Sequence, residues 1–354
     1  MANLAAIIPS PKAPLEVHEV ELYTPGPNEL LVKNEVIAFN LVESKIAKLV
    51  VIPLDYPAIL GSAFGGTIEA VGSSVTKFKI GDRVVVSKAF GVKGNQYGAY
   101  QRYVVVGDIM VSKIPKELDL AVPASLMMNL TSVVGLFSGR IGLDKPSLNG
   151  SLPFKKDKKV LVYGGSSSFG GLSIQYLTQS GYKVTTTSSP KNHDFVSKLG
   201  DATIHDHTLE SDALVKKLVA DGPYEIVVDT ISLPNTIAVT AQVLAAQGGV
   251  KLYAMQPAFG PETLPDGVTR VFEPWPDSLY EEKNRELQKW VVETYIPQGL
   301  VSGAITPLPV EEVAGGLKGI NEALERNLKG AHRIKYFSFW SQGSLHGVPL
   351  TFYL

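Results

Sequence analysis

Val160-Leu161-Val162-Tyr163-Gly164-Gly165-Ser166-Ser167-Ser168-Phe169-Gly170-Gly171 is the stretch on which the fold turns. Four apolar, β-prone residues run into a glycine/serine turn, and a helical pattern follows from Phe169 to Gln179. A strand delivered into such a turn aims backbone N–H groups and the positive end of a helix at one point, a geometry that holds a phosphate. Small side chains also let a pyrophosphate approach the backbone. The spacing is not a strict G-x-G-x-x-G, so the segment alone also fits a bare structural turn.

The flanking sequence favours dinucleotide binding. Downstream, strand candidates at Tyr182 to Thr187, Ala202 to Ile204, Glu225 to Asp229 and Gly249 to Tyr253 alternate with helical stretches. The helical stretches are Phe195 to Leu199, Leu209 to Ala220 and Asn235 to Ala246. Alternation at this spacing predicts a doubly wound parallel sheet, hence an α/β fold. Upstream, residues 1–123 are β-rich, with short runs at Leu30–Val36, Arg83–Val86 and Tyr100–Val106 between Gly/Pro/Asn turn signals. They predict a barrel or sandwich-like module. Pro123 to Phe137 reads as a helix and Gly139 to Lys159 as an exposed loop. Beyond the alternating region come a strand (Val268 to Phe272), a long helix (Ser278 to Tyr295) and a further helix starting near Val310.

The 354-residue length suits two domains, and a 45% hydrophobic, 19% charged composition supplies packed cores. A formal net charge of −1 argues against a dedicated nucleic-acid binder. There is no cysteine, which excludes disulfides, thiolate catalysis and Cys-ligated zinc or iron–sulfur sites. Of the six histidines only His205 and His207 lie close together, without the partners a metal site needs. The N-terminus lacks a signal-peptide pattern and no membrane span is expected, so the default is a soluble cytoplasmic protein.

Cofactor choice is read at the end of the second strand of the alternating region, Thr186-Thr187-Ser188-Ser189-Pro190-Lys191-Asn192. An NAD site usually places a carboxylate there for the ribose hydroxyls. Here no carboxylate occurs until Asp194. Two hydroxyls and a lysine suit a 2′-phosphate, which needs donors and positive charge. NADPH is therefore expected, against the alternative that the serines cap the next helix and Lys191 is merely solvated.

Several segments, in order, carry a family resemblance: Asn40-Leu41-Val42-Glu43-Ser44-Lys45, Tyr56-Pro57-Ala58-Ile59-Leu60-Gly61-Ser62-Ala63-Phe64-Gly65-Gly66, Ala70 to Val75, Phe78 to Val84, the turn at Gly164, and Leu308 to Val313. The chain resembles the zinc-free, quinone-oxidoreductase-like branch of the medium-chain dehydrogenases/reductases, and within it the fungal trans-acting enoyl reductases of polyketide pathways. The resemblance implies a GroES-like substrate domain (1–123, completed by about 270–354) packed on a Rossmann domain (124–269). It implies hydride transfer from NADPH to an activated alkene, or to a quinone. A non-catalytic NADPH-binding role is the alternative from another class.

By resemblance, Val42 and Lys45 would line the nicotinamide side, and Asn40 and Lys45 would face the substrate. Thr131 would be the polar residue on the first helix beside the nicotinamide. Gly165, Ser166, Ser167, Ser168 and Phe169 would hold the pyrophosphate. Ser188, Ser189, Lys191 and Asn192 would surround the adenosine phosphate. His207 would lie near the adenine, and Tyr253 and Ala254 near the nicotinamide ribose. Zinc members of the superfamily use Cys and His ligands; Asn40-Leu41 and Gly61-Ser62 stand where those motifs would fall, so no metal is expected. Charge developing on an enolate would then be met by Lys45 or the Thr131 hydroxyl. Tyr56 and Tyr97 are further proton-donor candidates. The implied partners are a small enone, enoyl thioester or quinone, with a polyketide synthase as a protein partner, and no nucleic acid or membrane. The chain would be a monomer or homodimer. Ala63 and Leu41 depart from the family pattern, and the aromatic-rich end from Ala331 to Leu354 matches nothing in it.

Overall fold

The structure, a computed structural model, describes residues 2–148, 154, 156–258 and 260–329, and the backbone of a strand at 335–339. Phe259 and most of the residues after 329 lie outside the described residues.

The β-rich part contains β1 (Asn3–Ile8), β2 (Glu16–Val20), β3 (Glu29–Ala38), helix α1 (Leu41–Leu49), β4 (Ala58–Ile59), β5 (Ala63–Val71), β6 (Arg83–Ser87), β7 (Tyr103–Gly107) and β8 (Val111–Lys113). Val-rich strands such as Arg83-Val84-Val85-Val86-Ser87 are buried across most of their length, as β-branched residues on a pleated inner surface should be. Helix α2 (Ala121–Val134) follows and widens into a π-turn over Gly135–Arg140. By length and composition alone, the 20-residue stretch Ala121–Arg140 is long and apolar enough to cross a bilayer. However, 78% of its most apolar window is buried inside the protein, which makes it a core helix.

The parallel part runs β9 (Lys159–Tyr163), α3 (Ser168–Gln179), β10 (Lys183–Ser188), α4 (His193–Ser197), β11 (Ala202–Asp206), α5 (Ser211–Asp221), β12 (Ile226–Asp229), α6 (Pro234–Ala246), β13 (Lys251–Ala254) and β14 (Thr269–Val271). Its strand order is β11-β10-β9-β12-β13-β14, with every neighbouring pair parallel. The order reverses between β9 and β12, and a ligand crevice opens at the carboxyl ends of strands at such a switch point. The glycine/serine turn leaves β9 at that position. The doubly wound α/β sheet expected from the alternation is present.

The C-terminal segment departs from the sequence reading. The expected single helix Ser278–Tyr295 is a chain of short pieces: 3₁₀ turns at Trp275–Tyr280 and Glu282–Asn284, then α7 (Arg285–Trp290), a π-turn over Val291–Tyr295 and α8 (Ile296–Val301). Tertiary bonds set the first part: Ser278 Oγ donates to Gly135 O at 2.8 Å, and Asn284 Nδ2 to Gly139 O at 3.2 Å. Val310 begins a strand, not a helix: β15 (Val310–Glu312), followed by α9 (Ile320–Leu328) and β16 (Lys335–Phe339). Gly315, at φ +99°, takes a left-handed conformation that delays the helix. β15 and β16 extend the β-rich sheet to the order β15-β16-β3-β5-β6-β8, with β7 also on β3. The smaller sheet is β2-β1-β4.

One buried apolar cluster crosses both parts. It contains Val36, Ala38, Ala63 and Val85 of the β-rich sheet, Leu126, Met127 and Leu130 of α2, and Val160, Val162, Leu172 and Ile174 of the parallel part. Helix α2 packs against β3, β5 and β6 on one side and α3 on the other.

Candidate active site

The turn after β9 is built by its own side chains. Gly164 sits at φ +90°, where a residue with a Cβ is strained. Its N–H donates to Thr187 Oγ1 at 2.9 Å, and the Gly165 N–H donates to Thr187 O at 2.9 Å. Ser167 caps α3: its Oγ accepts from the Gly170 N–H at 2.9 Å and pairs with Thr230 Oγ1 at 2.8 Å. A Cβ on Gly170 would overlap the Gly164 carbonyl oxygen, so this close approach needs glycine. The first amides of the twelve-residue helix have no acceptor within it, apart from those that Ser167 supplies, and Ser166 and Ser168 are partly exposed at the rim. Ser166, Ser168 and Phe169 thus stand around the amino end of α3. This arrangement fits a dinucleotide pyrophosphate, which those residues would hold.

At the ends of β10 and β11 lies a hollow of about 390 Å³ lined by Ser188, Pro190, His193, Asp194, Ile204 and Asp206. Ser188 and Ser189 are nearly buried; Asn192 Nδ2 donates to Ser189 Oγ at 3.3 Å. Lys191 is exposed on a 3₁₀ turn above the hollow, and His207 is exposed, its N–H donating to Ser188 O at 3.2 Å. The sequence reading missed His193, took Asp194 only as the first carboxylate after the second strand, and set Asp206 with His207 against the adenine rather than the ribose. Asp206 holds Thr208 through its N–H (2.8 Å) and Oγ1 (2.7 Å), and these bonds keep its carboxyl below the usual range. His205 pairs with Asp221 at 2.5 Å. Among the described residues no three His, Asp or Glu side chains are grouped to hold a metal.

At the carboxyl ends of β12 and β13 the chain is tightly wired. Asp229 is buried, and its Oδ1 accepts from the Ile231 N–H (2.9 Å) and the Ser232 N–H (2.7 Å). Burial pushes its carboxyl above the usual range. Ser232 lies at φ +57°, a strained region for a non-glycine residue and one that clusters at functional sites. Gln256 Nε2 donates to Ile231 O at 2.7 Å, which turns Gln256 Oε1 outward, where it accepts from Lys45 Nζ at 2.5 Å. Arg270, paired with Glu262, donates to Gln256 O at 2.6 Å and fixes the same loop from behind. Lys45 on α1 thus reaches across to the parallel sheet, and burial lowers its ammonium pKa from the ordinary lysine value. Tyr253 stacks edge-on against Trp275, whose Nε1 donates to Ala254 O at 3.0 Å.

The structure distributes the remaining sequence candidates as follows. Asn40 is buried as the N-cap of α1, its N–H donating to Glu43 Oε2 at 2.6 Å. Asn40-x-x-Glu43 is a capping box, a signal present in the sequence that would have revealed α1. Val42 lies in the first turn of the same helix, partly exposed. Thr131 is fully buried and its hydroxyl donates to Met127 O and Met128 O, both at 3.0 Å, so its proton is committed to its own helix. Two positions earlier, Asn129 Nδ2 is buried without a partner. The Tyr97 hydroxyl donates to Glu29 at 2.7 Å, a bond that raises its pKa and removes it as a cleft donor. Tyr56 packs against the core beside β4. Phe90 and Phe272 are exposed, while Trp275 is buried in the core.

The family model "Alcohol dehydrogenase GroES-like domain" matches residues 26–116. The chain is 32% identical over 339 residues to zinc-binding alcohol dehydrogenase domain-containing protein cipB of Emericella nidulans, covering 93% of this chain and 95% of that one. It is 32% identical to trans-enoyl reductase himH of Aspergillus japonicus, over 85% of this chain and 86% of that protein. A quinone oxidoreductase from Pseudomonas syringae has the same fold, at a TM-score of 0.73 and 20% identity, covering 96% of this chain and 100% of that one. The chain belongs to the medium-chain dehydrogenase/reductase superfamily, with these fungal dehydrogenases and trans-enoyl reductases. It is an oxidoreductase of that family.

Proposed function

We propose that the protein is a zinc-independent, NADPH-dependent reductase that delivers hydride to the activated C=C of an α,β-unsaturated carbonyl compound. The observation that carries this reading is the Lys45–Gln256 bond at the carboxyl ends of β12 and β13. It places a half-buried ammonium beside the crevice to which the glycine/serine turn leads. Gln256, a neutral amide, accepts from that ammonium and fixes its position; a cation so placed can stabilise a developing enolate. The nicotinamide supplies the hydride when bound. The protein's part is to seat the pyrophosphate on α3, to hold a cation beside the reacting carbonyl, and to exclude bulk water between its two domains. Asn40 supports this by fixing the start of α1, and Thr131 by packing α2 behind the cleft.

NADPH is favoured by Ser188, Ser189, Lys191 and Asn192 around the end of β10. NADH is a second reading, because Asp194 and Asp206 face the same hollow and carboxylates suit ribose hydroxyls better than a phosphate. The name of himH, a trans-enoyl reductase, supports an enoyl substrate; a polyketide synthase is the protein partner that the sequence resemblance implies, and a cytoplasmic location fits that role. NADPH oxidation measured against a panel of enones, enoyl thioesters and quinones tests the reading. Alkene turnover supports it, whereas quinone turnover alone points to a quinone reductase. Tight NADPH binding without turnover points to a binding protein.

A further inference from the structure

Between β12 and α6 the chain turns through Ser232, which is buried and holds φ +57°. A glycine would adopt that backbone without steric cost, whereas serine adopts it under strain. Each polar group of Ser232 is bonded. Its N–H donates to Asp229 Oδ1 at 2.7 Å, and its hydroxyl donates to Asp229 O at 2.7 Å. The same Oγ accepts from the Met255 N–H at 2.8 Å, one residue before Gln256. Its carbonyl accepts from Arg270 Nη2 at 3.3 Å and from Gln256 Nε2 at 3.4 Å. The neighbouring Ile231 carbonyl takes the shorter bond from Gln256 Nε2, at 2.7 Å. Two residues before Ser232, Thr230 Oγ1 donates to Tyr163 O at 2.8 Å and pairs with Ser167 Oγ, the cap of α3, at 2.8 Å. One short segment therefore supports both the glycine/serine turn and the side-chain amide of Gln256. That amide has a single workable orientation, with its nitrogen on the turn and Oε1 on Lys45 Nζ at 2.5 Å. Turned over, it would set its oxygen against the Ile231 carbonyl and its NH₂ against an ammonium, neither of which can bond.

We infer that Ser232 is a positioning residue, which acts through Gln256 to hold the Lys45 ammonium at the crevice. What the held cation does rests on the reductase reading above; the hold itself can be read without turnover. Ser232 is 2% exposed, so its effect passes through the loop after β13 rather than through a substrate contact. Its hydroxyl is what a glycine would lack. That hydroxyl ties the Met255 N–H to the turn, while the left-handed backbone directs the Ile231 and Ser232 carbonyls at the Gln256 amide. Without the hydroxyl the Met255 N–H loses its acceptor, the loop after β13 shifts, and Oε1 no longer meets Lys45. Displacing a group by about 1 Å from the reacting atoms can cost about 10²-fold in rate.

The test compares Ser232→Ala, which keeps the strain and removes the hydroxyl, with Ser232→Gly, which removes both. Thermal melts verify folding, and the glycine variant covers an alanine variant that fails to fold. Trace acetylation of the full-length protein with acetic anhydride, read by mass spectrometry, reports the hold on Lys45, with exposed Lys12 as the internal reference. Acetylation needs the uncharged amine, and the bond to Gln256 keeps the charged form. Lys45 should react about tenfold faster in either Ser232 variant and in Gln256→Ala, the scale of one lost hydrogen bond to a charged group. Adding Ser232→Ala to Gln256→Ala should change that rate by less than about twofold, because the two act in series. Unchanged Lys45 labelling in the Ser232 variants, or a full additional effect in the double variant, overturns the inference. Enone reduction is scored separately. Both Ser232 variants should lower kcat about tenfold while KM for NADPH stays within about twofold. If wild type reduces no enone, the reductase reading fails and the labelling still decides the hold. If wild type does reduce enones, an unchanged kcat, or an effect confined to KM for NADPH, sinks the Ser232 assignment alone.

Discussion

Lys45 and Lys191 are both lysines near the crevice, yet their surroundings give them different chemistry. Lys45 is half-buried and tied to a neutral amide, so its ammonium loses its proton at a lower pH than an ordinary lysine. If the protonated form is the active one, kcat/KM holds its plateau below that lowered pKa and falls as pH rises through it. Lys45→Arg should carry the plateau further into the alkaline range, because a guanidinium does not deprotonate there. Coincident alkaline limbs for the two proteins would count against the role. Lys191 is exposed and can act only through a ligand's charge. Lys191→Ala should raise KM for NADPH about tenfold while barely moving KM for NADH, a loss of one charge-assisted phosphate contact. Equal effects on both cofactors would refute the 2′-phosphate assignment.

Among elements, α3 and α1 are both set by their first turns. Ser167 satisfies the Gly170 N–H and also ties the turn to Thr230 after β12. Ser167→Ala should cost about 1–2 kcal/mol in urea unfolding, the value of a helix cap. It should also weaken nicotinamide-dinucleotide binding more than that loss of stability explains, because the turn is the proposed seat of the pyrophosphate. A change in stability with unaltered cofactor affinity would separate the cap from the site. Helix α1 was legible in Asn40-x-x-Glu43, but those residues also carried the family resemblance, and Asn40 was read toward the substrate. The burial of Asn40 and its bond to Glu43 show what it does structurally: it starts the helix that presents Lys45.

For the molecule as a whole, the continuous core decides behaviour. α2 and its neighbours bury apolar residues from both the β-rich sheet and the parallel sheet in one cluster. Each fully buried Leu, Val or Met is worth about 1.5–3 kcal/mol, so neither part should hold its face of the cluster intact alone. Tryptophan fluorescence and far-UV circular dichroism should therefore report one coincident unfolding transition. Two separated transitions would show the domains to be independent.

The sequence by itself determined the doubly wound sheet, the turn at Gly164 and the position of α3. These depend on local periodicity, small residues at a turn and a serine cap, all of which act over a few residues. Only the tertiary structure decided the rest. It broke the expected Ser278–Tyr295 helix, because Ser278 and Asn284 bond to the end of the α2 stretch more than a hundred residues away. It turned Val310 into a strand by giving it a parallel partner. It committed the Thr131 hydroxyl to carbonyls one turn back in its own helix. It also brought Gln256 to Lys45, from the end of the parallel sheet to helix α1. Contacts between residues so far apart leave no periodic trace in the chain, because the burial and charge that define them exist only once both domains are folded together.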